Sequence, residues 1–317
     1  MARKTAKSSK PRSDIKIRAS SLSHIGRVRD SNQDVGRHEV APSAPCEAKA
    51  LLVVADGMGG HAAGEVASRM AVDGLLDSLS RASTGTYDLG VLLETAVKQV
   101  NSAVYDAGTS PEHRGMGTTL TAALVVNSDL YVANVGDSRC YLLRDGHLKQ
   151  ITEDHSYVGE QVRSGALTVE QALTHPQRNV ITRAIGLDPT VEVDIFTEPI
   201  QTGDRIMLCS DGLYPLVPES ELIEVLSNNN PDQACEDLVD RANGNGGHDN
   251  VTVAVGIVEK KRVLKRRSQD KAKNEGRTTN TRIPSTTTIK PSRQVDGRLH
   301  RLLRQLKDRL GSVFVRQ

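Results

Sequence analysis

The chain has 317 residues, with Gly 26, Pro 12, Trp 0 and Phe 2, so its core must be built from Leu, Ile, Val, Ala and Met; the length allows one large domain or two ordinary ones. No apolar run approaches the roughly 18 residues of a membrane span, and the basic start Met1-Ala2-Arg3-Lys4 has no apolar stretch behind it to make a secretory signal, so a cytoplasmic location is expected. The net charge of +2 hides a partition: residues 1–18 carry +6, residues 259–317 carry +13, and the body between them carries −17. An acidic body of this kind argues against nucleic-acid binding as the main function, because such a domain would itself be positive.

Residues 1–14 read as a disordered basic arm and 15–258 as one domain. Ala48 to Ala55 is strand-like and runs into Asp56-Gly57-Met58-Gly59-Gly60-His61. Val66, Met70, Val72, Leu75, Leu76 and Leu79 repeat at helical spacing and predict a helix over 63–79, and Leu89 to Ala107 predicts another. Thr118 to Val126, Leu130 to Val135 and Cys140 to Leu143 are β-rich, separated by Asn127-Ser128-Asp129 and Gly136-Asp137-Ser138 and closed by the hairpin signal Asp145-Gly146. Short strands on tight turns predict one antiparallel meander. Residues 152–190 read as an irregular, partly helical insertion. A strand over 204–209 ends at Ser210-Asp211-Gly212, helices are expected at 218–227 and 231–242, and Val251 to Val258 closes the body after Asp249-Asn250. The class is therefore α+β. Residues 259–293 form a Lys/Arg/Ser/Thr-rich linker with little to bury. In 294–317, Leu299, Leu302, Leu303, Leu306 and Leu310 oppose Arg298, Arg301, Arg304, Lys307 and Arg309. That is the pattern of a short basic amphipathic helix able to dock on an acidic protein or an anionic membrane surface.

The aspartates carry the chemistry. Asp56, Asp137 and Asp211 each terminate a strand-like run and Asp249 precedes one. Ends of strands on one sheet edge lie close together, so these residues can converge. Taken singly, Asp-Gly is an ordinary surface turn; four such carboxylates in one place would repel and call for a counter-charge. All-oxygen ligation suits Mn²⁺ or Mg²⁺ better than zinc. Gly57-Met58-Gly59-Gly60 lacks a following Lys-Ser/Thr and is not a nucleotide P-loop. The polar stretch Gly26 to Asp34 could offer Asp34 to a metal and an arginine to an anion. Cys46, Cys140, Cys209 and Cys235 are scattered without a CxxC pair and read as core thiols.

Seven stretches in order, RDSNQD at 29–34, VADGMGGH at 54–61, GTT at 117–119, VGDSR at 135–139, TEDHS at 152–156, SDGL at 210–213 and DNVT at 249–252, resemble the bacterial metal-dependent protein serine/threonine phosphatases of the 2C type. The resemblance implies a central sandwich of two antiparallel sheets flanked by helices, in four α-β-β-α layers. It implies two catalytic Mn²⁺ or Mg²⁺ ions, bridged by Asp56 and held further by the Gly57 carbonyl, Asp211 and Asp249, with Asp34 orienting metal-bound water. Asp137 and Asp211 would make a weaker third site, Arg29 would grip the substrate phosphate, and the segment after Asp154 would be a flap over the site. His61 is the candidate acid for the leaving group. Hydrolysis would be direct, without a phosphoenzyme, by a monomer acting on phosphorylated proteins and opposing serine/threonine kinases. Gln33, where the family usually has Glu, and Met58, where eukaryotic members have His, depart from the commonest pattern.

Overall fold

The computed structural model describes residues 15–59, 63–82 and 88–261; the basic arm 1–14, His61 and the tail beyond 261, with its amphipathic segment, lie outside them. Two antiparallel sheets make up the described fold. The first runs β1 (Ile15–His24), β11 (Val251–Lys260), β10 (Arg205–Cys209), β7 (Arg139–Arg144), β8 (His147–Gln150). The second runs β2 (Asp34–Val40), β3 (Ala50–Met58), β5 (Leu120–Val126), β6 (Asp129–Val135), β9 (Asp194–Pro199), with the short β4 (Gly117–Thr118) paired to the end of β3.

Strand periodicity of two sorts the apolar residues into three cores. Along β3, Leu51, Val53 and Ala55 face α1 (Ala63–Arg81) and α2 (Leu89–Gly108). Ala50, Leu52 and Val54 point the other way, into a layer shared with Ile17, Ile206, Leu208 and Ala254 of the first sheet. The far side of that sheet, through Met207, Val251, Val253 and Val255, is covered by α5 (Glu219–Asn228) and α6 (Pro231–Gly244). The order is helix, sheet, sheet, helix. Each leucine sealed in the middle layer contributes roughly 1.5–3 kcal/mol of burial. Helix starts follow local chemistry: Asp88 accepts from the amides of Gly90 and Val91 at the head of α2, and Asn230 caps α6 with Pro231 in its first turn.

The predicted single meander is corrected. The hairpin β5–β6 belongs to one sheet and β7–β8 to the other, and Gly136-Asp137-Ser138 carries the chain across. Strands β1, β2 and β9 were not foreseen: IKIRASSLSH, DVGRHEV and DIFTEP hold too few apolar residues to stand out, because each lies at a sheet edge. The insertion is partly helical, with α3 (Tyr157–Arg163) and α4 (Val169–Leu173), capped by Ser156 and Thr168.

Candidate metal centre and active site

The topology brings the acidic residues to one end of the sandwich. Asp34 opens β2 directly opposite Asp56 on β3, so the second sheet supplies two adjacent carboxylates. In the first sheet Cys209 pairs with Val253, which sets the end of β10 beside the start of β11 and puts Asp211 near Asp249. Asp137 sits in the crossing turn between sheets. One expectation is revised: Asp56 does not end its strand, because pairing of Gly57 and Met58 with β4 carries β3 past it. Gly57 is required here for space. A Cβ on it would lie 2.2 Å from the carbonyl oxygen of Gly64 and 2.6 Å from that of Gln33, so only glycine lets the start of α1 press on the site.

Asp34 is buried, and its Oδ2 accepts from Ser210 Oγ at 2.7 Å, a bond between the two sheets. The Asp56 carboxyl lies close enough to those of Asp34 and Asp211 for each to act on the other's ionisation. Burial, then repulsion from Asp34, Asp211 and Asp137, pushes Asp56 well above the usual carboxylate range. Burial followed by Asp211 does the same to Asp137, and burial followed by Asp249 raises Asp211. For Asp34, burial outweighs the bond from Ser210, and its pKa is raised to about 7. Among the described residues, Asp34 Oδ1 and Asp137 Oδ1 are buried without a hydrogen-bond partner. Crowded, desolvated oxygens with unused lone pairs fit hard divalent cations, which take oxygen ligands. Among the described residues no three acidic, thiol or imidazole side chains close into a full ligand cage; a cation that keeps several waters does not need one.

The cleft over these groups has a volume of about 610 Å³ and is walled by Arg29, Gln33, Asp56, Gly57, Asp211 and Asp249. Arg29 Nη2 donates to Asp249 Oδ2 at 2.6 Å, a bond that raises the guanidinium pKa, and Asp211 and Asp56 act on it in the same direction. A second cleft of about 740 Å³ shares Asn179, Asp211 and Asp249 with the first and runs along α3, α4 and Tyr214 to Leu216. Several site residues were not singled out from the sequence. Asn250 Oδ1 accepts from the Gln33 amide while its Nδ2 donates to the carbonyls of Ile25 and Ser31, lacing the Arg29 loop to β11. Thr119 Oγ1 accepts from the Asp56 amide and meets Ser138 Oγ at 2.8 Å. Arg139 grips both carboxylate oxygens of Asp154 and lies 3.5 Å over the Tyr214 ring. Asn250 follows Asp249 and Arg139 comes two residues after Asp137, the one signal that could have found them, whereas Thr119 lies in the quoted GTT stretch, which has no aspartate. Burial keeps the thiols protonated, Cys209 being pushed up to about 12, so none serves as a nucleophile in this cleft.

A family model described as Protein phosphatase 2C matches residues 23–250. The chain belongs to that family. Its protein phosphatase 2C relatives include the serine/threonine phosphatase stp of Listeria monocytogenes, 42% identical over 233 residues that cover 72% of this chain and 90% of the relative. Among solved structures, the Mycobacterium tuberculosis serine/threonine phosphatase PstP/Ppp aligns with a TM-score of 0.69 at 41% identity, over 77% of this chain and 99% of that one. The catalytic domain of PstP in complex with two manganese ions aligns at 0.68 and 38% identity, over 77% and 99%. As a protein phosphatase 2C, the chain is an enzyme, a metal-dependent serine/threonine phosphatase that opposes kinases.

Proposed function

We propose that Asp56, Asp211 and Asp249, with the Gly57 carbonyl, hold two catalytic cations, Mn²⁺ or Mg²⁺, and that Asp137 with Asp211 holds a third more weakly. When bound, the cations supply a lowered water pKa and countercharge for the phosphoryl oxygens. Asp56 stands between the carboxyls of Asp34 and Asp211, the position from which one group can serve both sheets. Asp34 is fixed on one side by Ser210 and keeps its other oxygen free to orient water. Arg29 offers the phosphate a planar fork from the cleft rim, held toward the acidic cluster by Asp249. Water adds to phosphorus as the P–O bond to the seryl or threonyl oxygen breaks. The buried thiols leave no cysteine to form a phosphoenzyme.

The substrate peptide continues into the second cleft, where Val169 and Leu173 on α4 are exposed at 60% and 46% beside Tyr214 and Leu216. The substrates are phosphorylated proteins, serine/threonine kinases among them, met in the cytoplasm by a monomer. In support, no helix among the described residues is long and apolar enough to cross a membrane. The basic tail would hold the enzyme at an acidic protein or anionic membrane surface, a reading carried by its charge pattern alone. One observation carries the proposal: Asp34, Asp56 and Asp211 meet at a single sandwich edge with Asp249 and Arg29 bonded beside them. Hydrolysis of a phosphothreonine peptide, measured with Mn²⁺ and with chelator for wild type and Asp211→Asn, is the test. Metal-dependent turnover lost in the variant is expected; equal rates would overturn the assignment.

A further inference from the structure

His155 stands where the insertion leaves the sandwich, its side chain 3% exposed. Its backbone amide donates to the Gly136 carbonyl at 3.0 Å, and the Gly136 amide donates back to His155 Nδ1 at 3.0 Å. Gly136 is the residue before Asp137. The turn has no slack, for Gly136 has φ +110 and a Cβ there would fall 2.6 Å from Thr119 Cγ2.

Because Nδ1 accepts, a neutral ring carries its proton on Nε2. That nitrogen lies 3.1 Å from Asp194 Oδ2 on β9. Arg183 Nη1 donates to Asp194 Oδ1 at 2.7 Å and lies 2.9 Å from the same ring nitrogen. Arg183 belongs to the returning limb of the insertion, whose Thr182 amide donates to the His155 carbonyl at 2.9 Å and whose Ile181 bridges to Ser156. Both limbs of the insertion and β9 thus meet on one imidazole, and the opposite ring nitrogen holds the Asp137 turn. Burial lowers the pKa of the ring, with Arg183 acting the same way against Asp194. A ring protonated on both nitrogens would point N–H at N–H toward Gly136.

We propose that His155 is a positioning residue for Asp137: it fixes the turn that aims the Asp137 carboxyl toward Asp211 and ties that aim to the seating of the insertion. This rests on the reading that Asp137 and Asp211 hold the weaker third cation. A histidine that merely stabilised the core would affect folding without singling out that site.

The two conservative variants separate these roles. His155→Asn sets an amide oxygen near the place of Nδ1 and keeps an acceptor for Gly136. His155→Gln sets its amide near Nε2 and leaves the Gly136 amide without a partner. The metal-free full chain is titrated with Mn²⁺ by calorimetry, alongside thermal unfolding in chelator and hydrogen exchange of the Gly136 amide by NMR. His155→Gln should weaken the weakest Mn²⁺ site about tenfold, the loss of one hydrogen bond, leave the tighter sites in place and speed Gly136 exchange. His155→Asn should change that site by about threefold or less. Equal weakening by both, in step with their loss of thermal stability, would overturn the proposal. Asp137→Asn is the reference. If it removes the weak site while His155→Gln retains it, the positioning role alone is refuted; if it leaves the isotherm unchanged, the third-site reading fails and this inference with it. Should His155→Gln not fold, Asp194→Asn, which loosens the anchor but keeps the imidazole, should weaken the same site by roughly two- to threefold, and no change there is equally fatal.

Discussion

Asp34→Asn should make the metal-free protein more stable while impairing it as an enzyme. The carboxyl is buried at 6% exposure and its pKa is raised from 3.8 to about 7. The sign follows from linkage. Below the unfolded pKa both states hold the proton and nothing is lost. As pH rises from there to the folded pKa the unfolded chain ionises while the desolvated native carboxyl keeps its proton, so stability falls, and above the folded pKa the loss is complete. A rise of about three pKa steps at about 1.36 kcal/mol each gives roughly 4 kcal/mol above neutrality. Asparagine keeps an oxygen for the Ser210 hydroxyl, which now bonds Asp34 at 2.7 Å, and offers a donor to the Asp56 carboxyl. With about 2–4 °C per kcal/mol for a domain of this size, the variant should melt roughly 10 °C higher in chelator at pH 8, with the gain vanishing near pH 4. Thermal unfolding across that range reads the effect. Saturating Mn²⁺ should shrink the gain, because a cation then neutralises the charge that asparagine removes. A variant no more stable than wild type at pH 8, or a gain independent of pH, would refute the reasoning.

Asp56→Asn and Asp249→Asn should each lower phosphothreonine-peptide hydrolysis by a hundredfold or more with the far-UV spectrum unchanged, since both carboxyls line the cleft rather than the apolar cores. Arg29→Ala should cut kcat/KM by roughly 10–100-fold, the loss of a charge-assisted bond of about 1.5–3 kcal/mol, with Mn²⁺ affinity retained in calorimetry. Arg139→Met should cost about 3–5 kcal/mol in urea unfolding, because it strands the Asp154 carboxylate that Arg139 now bonds at 2.7 Å. Asp154→Asn, leaving a neutral partner, should cost less.

The apolar frame was legible because α1, α2, β5 and β10 bury long, regular runs. Asp137, Asp211 and Asp249 were legible because glycine or a turn marks the strand boundary beside each. Edge strands were not, since β2 and β9 each carry only two large apolar residues, one on each face, among polar ones. The split of the meander was hidden too: the same hairpin chemistry serves pairing within a sheet and passage between sheets, and only the burial of both faces at once decides. Asn250, Ser210 and His155 could be quoted within motifs, but their work is done by bonds to residues far along the chain. Asn250 reaches 225 positions back to Ile25 and Ser210 176 back to Asp34. No local pattern reports such distances.

Asp34 and Asp56 belong to one sheet, Asp211 and Asp249 to the ends of the other, and the Ser210–Asp34 bond already stitches that seam. An ion held by these four, as proposed above, would also be a buckle on the open edge of the sandwich. On that reading mineral supply would govern durability as well as turnover: a copy starved of its ions would be idle and, along that margin, unfastened.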